Sequence, residues 1–376
     1  MPPVRRSLVR VLPLLLSALL AGCGAPAPRD GAERDIREAV AAWSRTPPER
    51  LAGIPLEGWA YEVSAVRRDG AGATVRAELH YRLTGYDAAA AGSAREVRLT
   101  RDGGRWHVTG DRAAPGALPQ LWDQGPVAVV RGAHSLVLGV GQEPGTLSAI
   151  AAEADRAVPA AGAAWPEPWA GRAVVLVPGS LERMAELLGR PAAEYRGMGA
   201  VTTGRVGAAP APADRVVVNP QGWAELSPAG RGVILTHEVT HVATRAATTA
   251  TTPLWLSEGF ADWAAYRGTP ATPEQATPEQ AAPALARAVR RGEVPGELPR
   301  AEAFAFGGDP EALARAYEGA WLACRLIAQR WGEAALVDLY GRAGREPWPV
   351  AVRGALGADP DGLTKDWQET LRAEFR

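Results

Sequence analysis

Lysine is almost missing from this chain of 376 residues: Lys365 is the only one, so arginine carries nearly all the positive charge. Cysteine is as scarce. Cys23 and Cys324 are the only two, which excludes a disulfide framework. Histidine occurs five times, so any imidazole site must draw on His80, His107, His134, His237 and His241. Beyond the first 23 residues, no run reaches the roughly 18 uninterrupted apolar residues expected of a spanning helix. No basic stripe or arginine cluster is present, which argues against a nucleic-acid partner. What the chain has in quantity is alanine, glycine and proline, a bias that reads as GC-rich coding. With 47% hydrophobic residues and 13 tryptophans it can fill sizeable cores, and global disorder is excluded. The length predicts two folded units and a leader.

The leader occupies residues 1–23. Arg5, Arg6 and Arg10 form a positive stretch, a short apolar run covers 11–20, and small residues precede Cys23. Leu20-Ala21-Gly22-Cys23 resembles the bacterial lipobox, which implies cleavage before Cys23 and lipid attachment there. An ordinary secretory signal with an incidental cysteine is the alternative, and Arg5-Arg6-Ser7-Leu8 is also faintly similar to a twin-arginine export signal. The lipoprotein reading predicts an extracytoplasmic protein held to the bacterial membrane by acyl chains. Without the three leader arginines, 38 basic residues face 42 acidic ones, a net charge of −4.

After a tether over 24–32, a helix is predicted for 33–43. Strand-like alternation follows at 59–66, 74–83, 94–100 and 105–109, divided by Asp69-Gly70-Ala71-Gly72 and Asp102-Gly103-Gly104. Together they predict a small helix-plus-antiparallel-sheet domain over 33–113, a pattern that resembles the nuclear-transport-factor-2-like cone. His80 and His107 fall on its strands. The Pro/Gly-rich passage 114–126 reads as a linker. The remaining residues, 127–376, predict a mainly helical domain with a small sheet, giving an α+β chain overall. Its expected elements are a hairpin at 127–130 and 135–138 with His134 in the turn, and strands at 172–177 and 215–219. Helices are expected at 146–160, 180–188, 230–245, 309–331, 333–343 and 361–375. The segment 271–275 is repeated at 276–280 and reads as an exposed loop. Cys324 lies on a predicted apolar stripe with Leu313, Tyr317, Trp321 and Ile327, which marks it as a buried structural thiol.

Within the second domain, His237-Glu238-Val239-Thr240-His241 carries the chemistry. On a helix, residues four apart point the same way, so both imidazoles can reach one zinc ion with Glu238 beside its water. A catalytic zinc takes three protein ligands and keeps one open position. No histidine follows His241, so a third ligand from downstream has to be of another kind. Glu258 is the best candidate, on a new helix beyond a loop long enough to turn the chain back.

This set, His-Glu-x-x-His with a downstream Glu, resembles the gluzincins, the peptidase MA-like group that includes thermolysin and aminopeptidase N. Trp255-Leu256-Ser257-Glu258-Gly259-Phe260-Ala261 is similar to the Trp-Leu-Asn-Glu-Gly-Phe-Ala segment of the aminopeptidase N family. The likeness is specific from His237 to Trp263 and loose over the rest of 127–376. It implies a Zn2+ cofactor bound by His237, His241 and Glu258. Glu238 would be the general base, taking a proton from zinc-bound water and returning it to the leaving amine. Asp262 would accept the ring N–H of a zinc histidine, although a solvated helix carboxylate fits the same position.

Gluzincins also use a downstream Tyr or His to stabilise the oxyanion. Tyr317-Glu318-Gly319-Ala320 is similar to the Tyr-x-Lys-Gly-Ala segment of aminopeptidase N, but it is one residue shorter and lacks the lysine. Tyr317 therefore stands equally as a catalytic residue and as core. Residues 216–219 are expected to be an edge strand along which an extended peptide lies. The Gly-Ala-Met-Glu-Asn signature of aminopeptidases is missing. The resemblance thus implies a zinc metallopeptidase acting on peptide or protein substrates. A noncatalytic zinc-containing surface lipoprotein, binding a partner or cell-envelope component, is the alternative.

Overall fold

Apolar and polar residues alternate through the first third of the chain, and that alternation folds as a four-stranded antiparallel meander. A computed structural model describes residues 31–204, 206–207, 211–267, 278–305 and 308–375. The leader with Cys23 and most of the tether lie outside these residues, as does most of the repeated segment. Helix α1 (Gly31–Trp43) comes first. Strands β1 (Leu56–Asp69), β2 (Gly72–Leu83), β3 (Ala91–Asp102) and β4 (Arg105–Ala113) follow in the order β1-β2-β3-β4. The turn from β3 to β4 places Gly103 and Gly104 at positive φ, the conformation that a two-residue hairpin demands. Helix α1 buries Ile36 and Val40 against Val75, Val97, Leu99 and Trp106 on one end of the sheet. His80 and His107 lie on β2 and β4, as the alternation predicts.

A second sheet of five strands has the order β5-β6-β7-β9-β8. Its members are β5 (Val127–Arg131), β6 (Ser135–Val140), β7 (Ala173–Val177), β8 (Ala200–Thr203) and β9 (Arg215–Val218). Pairings β6–β7 and β7–β9 are parallel, while β5–β6 and β8–β9 are antiparallel. Residues 216–219 are not the edge strand that the sequence suggests. Strand β9 is enclosed by β7 and β8, and the edge is β8. The physical reason is that β9 is apolar toward both faces. Val216 and Val218 pack with the helices, whereas Val217 packs with Leu181 and Met184 on the other side.

The remaining elements are helical. They are α2 (Pro144–Ala164), α3 (Leu181–Leu188), α4 (Pro220–Glu225), α5 (Pro228–Thr244), α6 (Leu254–Arg267), α7 (Pro278–Ala281), α8 (Pro283–Arg290), α9 (Pro310–Trp331), α10 (Glu333–Ala343), α11 (Trp348–Leu356) and α12 (Pro360–Glu374). Ser180 caps α3 and Asp309 caps α9, each accepting a main-chain N–H. Helices α2 and α5 cover one face of the second sheet through Leu147, Ile150, Leu235 and Val239. Cys324 is fully buried on α9.

The other face of the second sheet meets the first. Leu136, Leu138, Val140 and Val174 share one core with Leu79, Tyr81 and Leu83 of β2. Leu121 and Trp122, from a short 3-10 turn inside the linking passage 114–126, are part of that core. Polar clamps reinforce the junction. Arg95 has no exposed surface, and its guanidinium donates to Asp111 at 2.9 and 3.0 Å and to Asp123 at 2.7 and 2.8 Å. Asp87, in the loop after β2, accepts Arg215 at 2.9 and 3.1 Å and the main-chain N–H of Ala213 at 2.8 Å. Such planar double pairs fix orientation as well as distance. Because the two sheets share a core, the full chain is expected to unfold in one cooperative calorimetric transition. Two well-separated transitions would contradict the shared core.

Candidate metal centre

Helix α5 begins with Ser227 accepting the N–H of Gly230 at 3.1 Å and with Pro228 in its first turn. From there it runs along the second sheet, burying Leu235, Val239 and Ala243. His237 and His241 project from one side, one helical turn apart, with ring centroids 4.7 Å from each other.

The chain then has to return with Glu258, and the threonine-rich loop 245–253 achieves this by attaching itself to α10. Thr249 donates to Gly344 O at 2.9 Å and Thr251 to Ala343 O at 2.9 Å. Tyr340, fully buried on α10, places its hydroxyl 2.8 Å from Thr248, 3.2 Å from Thr244 and 3.3 Å from Ser257. One phenol thereby joins the end of α5 to the start of α6, one residue before Glu258.

Glu258 Oε2 lies 3.3 Å from His237 Nε2 and 3.5 Å from His241 Nε2, and the two histidine nitrogens are 3.0 Å apart. His237, His241 and Glu258 can hold a metal ion, their ligand atoms all lying within 4.8 Å of one another. Asp262, one turn beyond Glu258, reaches His237 Nδ1 with Oδ1 at 2.7 Å. A carboxylate accepts, so this contact puts a ring proton on Nδ1 and leaves Nε2 as the nitrogen turned toward His241 and Glu258. The structure thus sets Asp262 against a ligand histidine rather than in solvent.

The electrostatics of the centre favour a cation. Burial opposes a charge on His237, but Asp262, Glu258 and Glu238 together raise its pKa well above the usual 6.5. Burial likewise opposes the Glu258 carboxylate, and the two histidines outweigh it, holding its pKa below the ordinary glutamate range. Tyr317 lies beside the centre on α9, its ring 6.5 Å from that of His237 and edge-on to Phe304 at 5.1 Å. Burial, followed by Glu258, Asp262 and Glu238, pushes its phenol pKa upward, so it keeps its proton. The two roles expected of Tyr317 are compatible: it packs against the core and also faces the site. Glu318, where the similar family segment has another residue in this stretch, accepts the N–H groups of Ala284 and Leu285 at 3.2 and 2.6 Å and so holds α8 in place.

One neighbour escapes sequence reasoning. Thr202, on β8, places Oγ1 2.6 Å from Glu238 Oε2. Three β-branched residues in a row, Val201-Thr202-Thr203, are the signal that marks this strand. A cavity of about 520 Å3 lies between Leu118, Leu187, Thr203 and Arg215 and is lined by none of the metal-site residues.

The carboxylates around His237 favour its protonated form, and a metal ion must displace that proton. Metal uptake is therefore expected to release protons. Affinity should rise with pH until the raised His237 pKa is passed. Titration calorimetry in buffers of different ionisation enthalpy measures this; uptake without proton release would contradict the assignment.

No protein-family model matches the chain and no curated protein matches its sequence, so the functional reading rests on this geometry.

Proposed function

We propose that the chain is a zinc-dependent metallopeptidase of the gluzincin type, carried outside the cytoplasm on a lipid anchor at Cys23. The observation that supports this most strongly is the spacing of the three donor atoms. Ligands about 2.0–2.1 Å from a tetrahedral zinc ion stand roughly 3.3–3.4 Å from one another. The separations here are 3.0, 3.3 and 3.5 Å. Two imidazole nitrogens and one carboxylate oxygen form the borderline-soft set that suits zinc. His237 is buried, while His241 and Glu258 are only half-buried, which leaves an approach for substrate.

Zinc, when bound, would polarise a carbonyl and bring the pKa of a coordinated water to about 7. The chain's own residues do the rest. Glu238 takes a proton from the attacking water and passes it to the leaving amine. Tyr317, kept as a neutral phenol, donates to the oxygen on which negative charge develops. Asp262 fixes the tautomer of His237 so that its Nε2 remains a ligand.

Substrate would lie along β8. Gly199 O accepts the N–H of Asn219 at 2.9 Å, and the alternation of an antiparallel ladder then turns the main-chain groups of Ala200 and Thr202 away from β9. They face the outer edge of β8, which no other strand among the described residues pairs, and there an extended peptide can add as a further strand. Val201 and Thr203 point to the opposite face from Thr202, so alternate substrate side chains would be read on the two faces.

Two substitutions separate the roles. Glu238→Gln is expected to retain zinc and abolish hydrolysis of a mixed library of internally quenched peptides. Tyr317→Phe is expected to retain zinc and lower kcat roughly 100-fold, the scale of one lost oxyanion donor. Undiminished turnover in Glu238→Gln would refute the mechanism.

A further inference from the structure

Thr202 is half-buried on the edge strand, and its hydroxyl has two oxygen neighbours on one residue of another element. Oγ1 lies 2.6 Å from Glu238 Oε2 and 3.0 Å from Glu238 O. A hydroxyl has one hydrogen to give. The shorter contact goes to the carboxylate, where the bond is charge-assisted, so the proton points there. The partners are 36 residues apart in sequence and belong to the second sheet and to α5, so helix periodicity does not impose the contact.

We infer that Thr202 is a positioning residue for the Glu238 carboxylate, an inference that rests on the metallopeptidase reading above. A general base needs one oxygen aimed at the proton that it takes, and a free glutamate side chain can rotate about several bonds. The Thr202 bond engages Oε2 and leaves Oε1 as the oxygen available for proton transfer. It also keeps the carboxylate from swinging toward His237 and His241, where it would compete with Glu258 for the metal. The same residue presents its N–H and C=O at the free edge of β8. Substrate bound along that edge would therefore be placed by the residue that orients the base, coupling main-chain docking to base alignment.

The strand has independent support. Arg245, at the end of α5, donates to Asp214 at 2.5 Å, just before β9, and the C=O of Arg245 accepts the N–H of Gly207. Gly207 and Asp214, which lie between β8 and β9, are thus tied to the same helix that carries Glu238.

The test uses the full chain loaded with zinc and two readouts. The first is affinity for acetohydroxamate, which gives up a proton to a nearby base as it chelates zinc and needs no knowledge of the substrate. The second is hydrolysis of a mixed library of internally quenched peptides. Thr202→Val keeps shape and removes the hydroxyl, Thr202→Ser keeps the hydroxyl, and Glu238→Gln is the reference for loss of the base. Zinc content and Tm are recorded for each. Thr202→Val is expected to bind one zinc ion and to weaken acetohydroxamate about tenfold, the scale of a lost bond to a charged group. It should lower kcat by a similar factor with little change in KM, and Thr202→Ser should recover most of both. Equal hydroxamate affinity in Thr202→Val and parent, with Glu238→Gln weakened, overturns the role of Thr202 and leaves the base assignment standing. Unchanged affinity in Glu238→Gln as well, or no zinc in the parent, overturns the reading on which the inference depends.

Discussion

Helices α6 and α9 cross with almost no space between their backbones. A Cβ on Gly259 would stand 2.3 Å from the carbonyl oxygen of Ala320, a distance that real side chains do not adopt, and in a tight 3.0 Å contact with the Cys324 sulfur. Only glycine permits this approach. The residue next to it is Glu258, and one turn before Ala320 on the facing helix is Tyr317. The crossing therefore sets two groups of the centre at once, the Glu258 carboxylate, which can complete a metal site, and the Tyr317 phenol beside it. The burial of Cys324 follows from the same contact, as its sulfur fills the space that glycine leaves. With α5 fixed against the sheet by Leu235, Val239 and Ala243, three helices converge on one point.

The first sheet packs into this arrangement. Its β2 residues complete the core under the second sheet, and Asp87 holds the start of β9 through Arg215. Strand β9 carries the edge strand β8, which in turn touches Glu238. A mechanical connection thus runs from the N-terminal sheet to the residue proposed as the base. Buried ion pairs such as Arg95 with Asp111 and Asp123 add little net stability against apolar replacements, but they define one geometry and penalise others.

His237, Glu238, His241, Glu258 and Asp262 were all legible in the sequence because their relations are local. Each falls at helical spacing on one of two consecutive helices, and a loop of fitting length joins them. The antiparallel meander was legible for a similar reason, since two of its three hairpins close through short Gly-containing turns. What escaped is what depends on distant pairing. Nothing in residues 215–219 says which strands flank them, so an interior strand reads like an edge. Thr202 stands on a strand of four residues with no turn signal, and its partner lies on a helix that comes later. The passage 114–126 reads as a linker from its prolines and glycines, although Leu121 and Trp122 within it are apolar residues of the kind that seek a core. Tyr317 was ambiguous because one helical stripe serves both the core and the rim of the site.

The central claim is that His237, His241 and Glu258 form one zinc site, and metal content tests it most directly. Purified chain from about Ala25 onward would be analysed for zinc by mass spectrometry beside Glu258→Ala. The account predicts one zinc ion per parent chain and a marked loss in the variant. A folded parent that takes up no zinc after incubation with the metal, or a Glu258→Ala protein that holds it as tightly, would contradict it.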